Sequence, residues 1–347
     1  MHKVGRFGSM LKGRPRGSDV LLNERRGASL PYLRGLLVIF VMLISVNVRA
    51  EPPATAPAEP PSVGPVALRV LIVSVDGLRP DLLIRAKTPT LQALIDRGSF
   101  TFWAVTTDLA VTLPSHVSML TGVKPARHGI LWNALPTPGE PLYPIVPTLF
   151  DLADAQGMST MLVAGKMKFF ALNRGGAMAN VFIPRSDTTS DDVVAAAAIE
   201  RLRAHRPRVA VVHFPGVDNT GHASGWGSPE QIAAVEAVDA HIGSMLKELD
   251  ALGVLNETAV LVTADHGGQG KSHGPNDARS RFVPWILAGP GIRKNFDLTS
   301  LPELQIHTED TFATLCMLLG LATPAGIDGK PIDVVLEGLE LLQNVPQ

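Results

Sequence analysis

Five short runs of aliphatic and β-branched residues punctuate this chain: 67–75 (ALRVLIVSV), 159–164 (STMLVA), 208–214 (RVAVVHF), 258–263 (TAVLVT) and 282–288 (FVPWILA). Runs this apolar, and this short, suit strands buried on both faces of a parallel sheet. Between them the spacing predicts helices at 113–121, 146–156, 190–205, 229–252 and 308–319. Thr88-Pro89-Thr90 opens a further helix over LQALIDRG, with Gly98 as its stop. Strands alternating with helices predict an α/β fold, a central mostly parallel sheet with helices on both faces. No internal repeat and no second linker interrupts residues 67–340, which therefore read as one domain.

The amino-terminal region is different in kind. Residues 1–34 carry eight Lys and Arg, and an apolar run follows from Leu36 to Val48. Val48-Arg49-Ala50 is small at the two positions a signal peptidase reads, so residues 1–50 read as a signal peptide. The run is shorter than the roughly 20 apolar residues of a membrane span, and an uncleaved anchor is the alternative. Residues 51–66 (EPPATAPAEPPSVGPV) form a Pro/Ala-rich linker that cannot build a core. An exported protein is expected, periplasmic or extracellular, in contact with a membrane only if the leader is retained. The lone Cys316 excludes an internal disulfide framework and a thiolate metal cluster. Overall charge is −1, which argues against a nucleic-acid-binding patch. That balance hides an asymmetry: cleavage after Ala50 removes nine basic and two acidic residues and leaves 22 basic against 30 acidic.

Ligands of α/β sheets bind where strands end, and here the strand ends share a chemistry. Asp76 follows the first run, Asp218 and His222 follow 208–214, and Asp265 and His266 follow 258–263, with His273 close behind. Three Asp and three His on one sheet edge form a mixed N/O donor set for two Zn²⁺-like ions. Thr112 precedes Leu113-Pro114 at a predicted helix start, where its hydroxyl lies near unpaired backbone N–H groups. A threonine there can cap the helix; next to metal ions it can instead ionise and attack phosphorus.

Taken together, VDGLRPD (75–81), TPTLQALIDRG (88–98), TLPSHVSMLTGVKPARHGILWN (112–133), DNTGH (218–222), ADHGG (264–268), SHG (272–274) and VPWILAGPGI (283–292) resemble the alkaline phosphatase superfamily. The nearest branch is that of nucleotide pyrophosphatases and type I phosphodiesterases, and the resemblance covers roughly residues 68–335. It implies one zinc on Asp76, Thr112, Asp265 and His266, and a second on Asp218, His222 and His273, with His307 as the fallback for His273. It further implies that Thr112 is the nucleophile and that Asn133 contacts a phosphoryl oxygen, helped by the backbone amides of Thr112 and Leu113. His116 and His128 read as structural or supporting residues, and His213 as a core histidine.

The same residues separate the branches. Sulfatases of this superfamily need a Cys or Ser in a C/S-x-P-x-R pattern, whereas this chain has Thr112-Leu113-Pro114-Ser115-His116. Phosphoglycerate mutases of the superfamily use Ser and a large inserted domain, for which there is no room. Monoesterases with a Thr nucleophile add a Lys and an Arg against the phosphate; Lys166 matches the Lys, but Lys168 stands at the Arg position. The expected activity is hydrolysis of phosphodiester or nucleotide pyrophosphate bonds in small phosphate esters. Monoester hydrolysis on the same site is the alternative, ahead of phosphoryl-group transfer and of a tethered binding protein that does no chemistry.

Overall fold

The computed structural model of the chain describes residues 66–176 and 178–338. The predicted leader and nearly all of the linker lie outside these residues. Eight strands form one sheet: β1 (Arg69–Val75), β2 (Gly98–Val105), β3 (Thr160–Ala164), β4 (Asn180–Phe182), β5 (Val209–Phe214), β6 (Thr258–Thr263), β7 (Phe282–Ala288) and β8 (Phe296–Asp297). The helices are α1 (Pro80–Arg85), α2 (Pro89–Asp96), α3 (Thr112–Thr121), α4 (Pro125–His128), α5 (Leu149–Ala155), α6 (Asp191–His205), α7 (Gly216–Ser224), α8 (Pro229–Ala251), α9 (Ala278–Arg281) and α10 (Thr308–Leu319).

Strand order is β4-β3-β5-β1-β6-β7-β2-β8. The five strands from β4 to β6 are parallel, β7 runs antiparallel to both β6 and β2, and β8 pairs parallel with β2. Every residue of β5 and β6 is buried, as are all but the first of β1 and β7. Full burial of side chains that alternate between faces requires cover on both sides. The helices supply it in two packing groups: α3, α5 and α10 together, and α1, α2, α6 and α7 gathered on the long α8.

All five predicted strands form within two residues of their expected bounds. Gly98 is not a helix stop: α2 ends at Asp96 and Gly98 opens β2, its Cα so close to the Leu287 carbonyl that a Cβ would lie 2.2 Å from it. The DNTGH segment is helical, forming most of α7. Register then fixes the site. Ser74 of β1 pairs with His213 of β5 and Thr263 of β6, and Ala164 of β3 also pairs with His213. The four parallel strands therefore end level, and Asp76, Asp218, Asp265 and Lys166 leave the sheet at one edge.

Candidate active site

Two clusters form at that edge. Asp76, Asp265 and His266 bring one ligand atom each within 4.8 Å of one another, and so do Asp218, His222 and His273. These are the six Asp and His residues expected from the strand ends. The three carboxylates are buried, and each keeps one oxygen without any hydrogen-bond partner: Asp76 Oδ1, Asp218 Oδ1 and Asp265 Oδ2. A buried charge left this way is costly unless a cation meets it. The orphaned oxygens point inward, Asp76 Oδ1 and Asp265 Oδ2 lying 3.4 and 3.3 Å from His266 Nε2, and Asp218 Oδ1 lying 3.3 Å from His222 Nε2 and 3.8 Å from His273 Nε2.

The histidines are oriented for the same purpose. His266 Nδ1 donates to the Gly267 carbonyl (2.9 Å), His222 Nδ1 to the Lys271 carbonyl (2.9 Å) and His273 Nδ1 to the Ala110 carbonyl (2.9 Å). Each ring thus carries its proton on Nδ1 and turns an unprotonated Nε2 to the carboxylates, the usual support of a metal-ligating imidazole. Burial and the neighbouring His273 push the His266 pKa down to about 4, so it is neutral at pH 7. The donor set fits two borderline divalent ions of the Zn²⁺ kind.

Val111 occupies the capping position of α3, and Thr112 is the first residue of the helix. Its Oγ1 lies 3.5 Å from His266 Nε2, against the first cluster. Asn133 Oδ1 accepts from the Leu113 N–H (2.9 Å) and from Lys168 Nζ (3.2 Å), so the amide Nδ2 is the group left to donate into the cleft. The Leu113 amide expected to face a phosphoryl oxygen is therefore already spent on Asn133. Lys166 is buried with its ammonium between the clusters, 2.7 Å from Asp76 Oδ2 and 2.5 Å from Asp218 Oδ2. Burial opposes both charges, yet Lys166 and the hydrogen bond from His213 hold the Asp76 carboxyl well below its ordinary range. Asp218 falls to about 2 against burial and the repulsion of Asp76, through the neighbouring His222 ring and the Lys166 charge. Asp265 goes the other way, raised by burial and by Asp76.

The structure brings every predicted site residue to one cleft, and adds some. His213 is not a bystander of the core: Gly165 N–H donates to its Nδ1 (3.2 Å), which leaves Nε2–H to donate to Asp76 Oδ2 (2.9 Å). His116 supports the backbone at Thr112, its Nδ1 donating to the Thr112 carbonyl (2.7 Å) while Ser74 Oγ donates to its Nε2 (2.7 Å). His128 is structural, bonded to Ser118, Pro114 and Ile130. His307 caps α10 and takes no part in the site. Cys316 is buried in α10, and burial pushes its thiol up to about 12. Trp226, which no motif marked, lies among the ligand loops.

A family model described as type I phosphodiesterase / nucleotide pyrophosphatase matches residues 70–191 and 178–277. An uncharacterized pyrophosphatase/phosphodiesterase of Schizosaccharomyces pombe is 24% identical over 220 residues, which is 57% of this chain and 44% of that protein. The catalytic subunit of human GPI ethanolamine phosphate transferase 2 is 26% identical over 345 residues, 90% of this chain and 33% of that protein. The chain thus spans less than half the length of these curated relatives. An inactive variant of murine ectonucleotide pyrophosphatase/phosphodiesterase 5, solved in complex with AMP, superposes with a TM-score of 0.65 over 78% of this chain and all of that one, at 17% identity.

Proposed function

The chain belongs to the type I phosphodiesterase / nucleotide pyrophosphatase family, within the alkaline phosphatase superfamily, and from that premise we propose an exported hydrolase with two Zn²⁺-type ions. It cleaves phosphodiester or nucleotide pyrophosphate bonds of small phosphate esters through a phospho-threonine at Thr112. The observation that carries this reading is the pair of ligand triads, with three buried carboxylate oxygens that have no other partner.

Asp76, Asp265 and His266 hold one ion beside Thr112, and Asp218, His222 and His273 hold the other. Bound there, the ions supply Lewis-acid stabilisation of the charge on phosphoryl oxygens. Thr112 Oγ1 attacks phosphorus in line with the departing oxygen, giving its proton to solvent water as the Oγ1–P bond forms and the P–O bond to the leaving group breaks. The departing oxygen leaves as an alkoxide or phosphate and is protonated by water. Asn133 donates from Nδ2 to an equatorial oxygen. A water molecule then attacks the phospho-threonine, and Oγ1 leaves and regains a proton. Two displacements give net retention at phosphorus, so inversion with a chiral phosphate ester would exclude the covalent route. Two of the three Lys166 N–H donors are already engaged by Asp76 and Asp218, which leaves one at most for a phosphate oxygen and weighs against the monoesterase arrangement.

The deciding experiment compares rates on p-nitrophenyl phosphate, bis-p-nitrophenyl phosphate and the p-nitrophenyl ester of thymidine 5′-monophosphate, with added Zn²⁺ and after chelation. Diester turnover should dominate and vanish on chelation; dominant monoester turnover would make the protein a phosphomonoesterase. Transfer to an alcohol acceptor is the second reading, favoured by the alignment of 90% of the chain with a phosphate transferase subunit. Product analysis with and without alcohol acceptors separates the two.

A further inference from the structure

The indole of Trp226 touches three of the loops that carry candidate ligands. Its Nε1–H donates to the Gly77 carbonyl (3.0 Å), immediately after Asp76. The N–H of Gly77 in turn donates to Asp265 Oδ1 (3.2 Å). Two motif glycines make room for the ring. A Cβ on Gly268, of the ADHGG loop, would fall 2.3 Å from the indole, and one on Gly221, of DNTGH, 2.8 Å. The backbone N–H of Trp226 donates to the Gly270 carbonyl (2.7 Å), which anchors the loop leading to His273. The ring meets His222 edge-on, centroids 5.1 Å apart at 87°, and His273 at 5.9 Å and 63°. His273 in turn stacks on His266 at 3.7 Å.

Three facts follow from these contacts together. Trp226 is the neighbour against which both histidines of the second cluster rest. It is tied by one hydrogen bond to the turn that also holds Asp265 of the first cluster. Its space exists because two motif positions lack a side chain. Any buried indole needs a partner for its N–H, but a ring that only filled the core would not need both histidines of one cluster against it.

We propose that Trp226 is a positioning residue that sets His222 and His273 for the second metal ion and ties their loop to the Asp76-Gly77 turn of the first. This rests on the two-ion reading given above. The indole fixes ring orientation at the second cluster directly, through aromatic edges, and reaches the first only through Gly77. Loss of the ring therefore weakens the second ion much more than the first, and the ring's own fluorescence responds when the second ion binds.

The test is Zn²⁺ binding to the full chain by equilibrium dialysis with elemental analysis, alongside tryptophan fluorescence, for wild type, Trp226→Phe and Trp226→Leu. Far-UV circular dichroism checks folding. Wild type should bind two equivalents, with a fluorescence change at the second that Trp226→Phe abolishes. Trp226→Leu should weaken the second equivalent about 10–100-fold, the range for losing a residue that supports metal ligands, and leave the first near wild type. Trp226→Phe, which keeps an aromatic edge, should restore most of the second-site affinity. Equal weakening of both equivalents, or none, in folded Trp226→Leu overturns the proposal. If Trp226→Leu does not fold, Trp226→Phe decides, and a fluorescence change that persists in it overturns the proposal. Failure of wild type to bind two ions overturns the two-ion reading instead.

Discussion

Val111, not Thr112, occupies the capping position of α3, so the Thr112 hydroxyl is not committed to capping and lies 3.5 Å from His266 Nε2 instead. That freedom is what a nucleophile needs, and it makes the residue testable. Thr112→Ala should cut turnover by about 10³-fold or more, as loss of a nucleophile does, while elemental analysis still finds both ions. Activity within a few-fold of wild type would remove Thr112 from its role. Lys166 yields a different test. Its ammonium is the one cation between Asp76 and Asp218 among the described residues. Removing one member of a buried ion pair costs about 3–5 kcal/mol. Lys166→Met should therefore lower the melting temperature of the chelated protein strongly and that of the Zn²⁺-loaded protein much less. Equal losses in both would mean the ammonium does not serve as a stand-in for the metal charge. At this scale the Asp and His of the two triads were legible because they follow apolar runs, and Thr112 because a proline marks the helix start beside it. The part His213 plays was not, and Lys166 was marked only as a phosphate contact: their bonds to Asp76 depend on β5 lying between β1 and β3, which is a matter of pairing and not of local sequence.

Among the elements, the long apolar runs announced themselves, and the short or motif-bearing ones did not. β2 (GSFTFWAV) was hidden because Gly98 also reads as a helix stop, and α7 because Asn219-Thr220-Gly221 reads as a turn. The start of α2 carries a further lesson. Thr88 looks like its cap yet makes no capping bond; buried Asp239 of α8 accepts from the N–H groups of Thr90 (3.1 Å) and Leu91 (2.8 Å) instead. Asp239→Ala should therefore cost about 2 kcal/mol in urea denaturation, through a lost cap and unpaired donors. Thr88→Ala should cost close to nothing. The α3–α4 junction holds a pH-sensitive element. His128 is buried, and desolvation takes its pKa to about 4 from an ordinary 6.5. The unfolded chain binds the proton first, so this stabilisation is whole above pH 6.5 and is lost as pH falls toward 4. An NMR titration should find the His128 ring neutral between pH 8 and 5; titration near pH 6.5 would contradict it.

On the whole-molecule scale the sheet assembles a site from residues 76 to 273 that gathers three buried carboxylates. The chain beyond Ala50 holds 30 acidic and 22 basic residues, and divalent ions at the two triads, as proposed, would offset part of that excess. Ions that bind the native state alone stabilise it by mass action. The melting temperature should therefore climb with free Zn²⁺ and fall on chelation, by scanning calorimetry. Invariance would separate the triads from metal altogether. Among the described residues no helix is long and apolar enough to cross a membrane.

The register of β1 has one more consequence. Val70 pairs on one side with Val209 and on the other with Ala259, partners that lie more than a hundred residues downstream. The first triad joins Asp76 to Asp265 and His266, so no local fragment holds it, and even the second spans residues 218 to 273. Strand pairings of such long sequence separation close late and slowly. The metal therefore cannot template this sheet the way it templates a zinc finger; it can only recognise one already closed. In a refolding experiment, uptake of Zn²⁺ should trail the return of sheet structure, and the chain would spend its most vulnerable moments before any ion can hold it together.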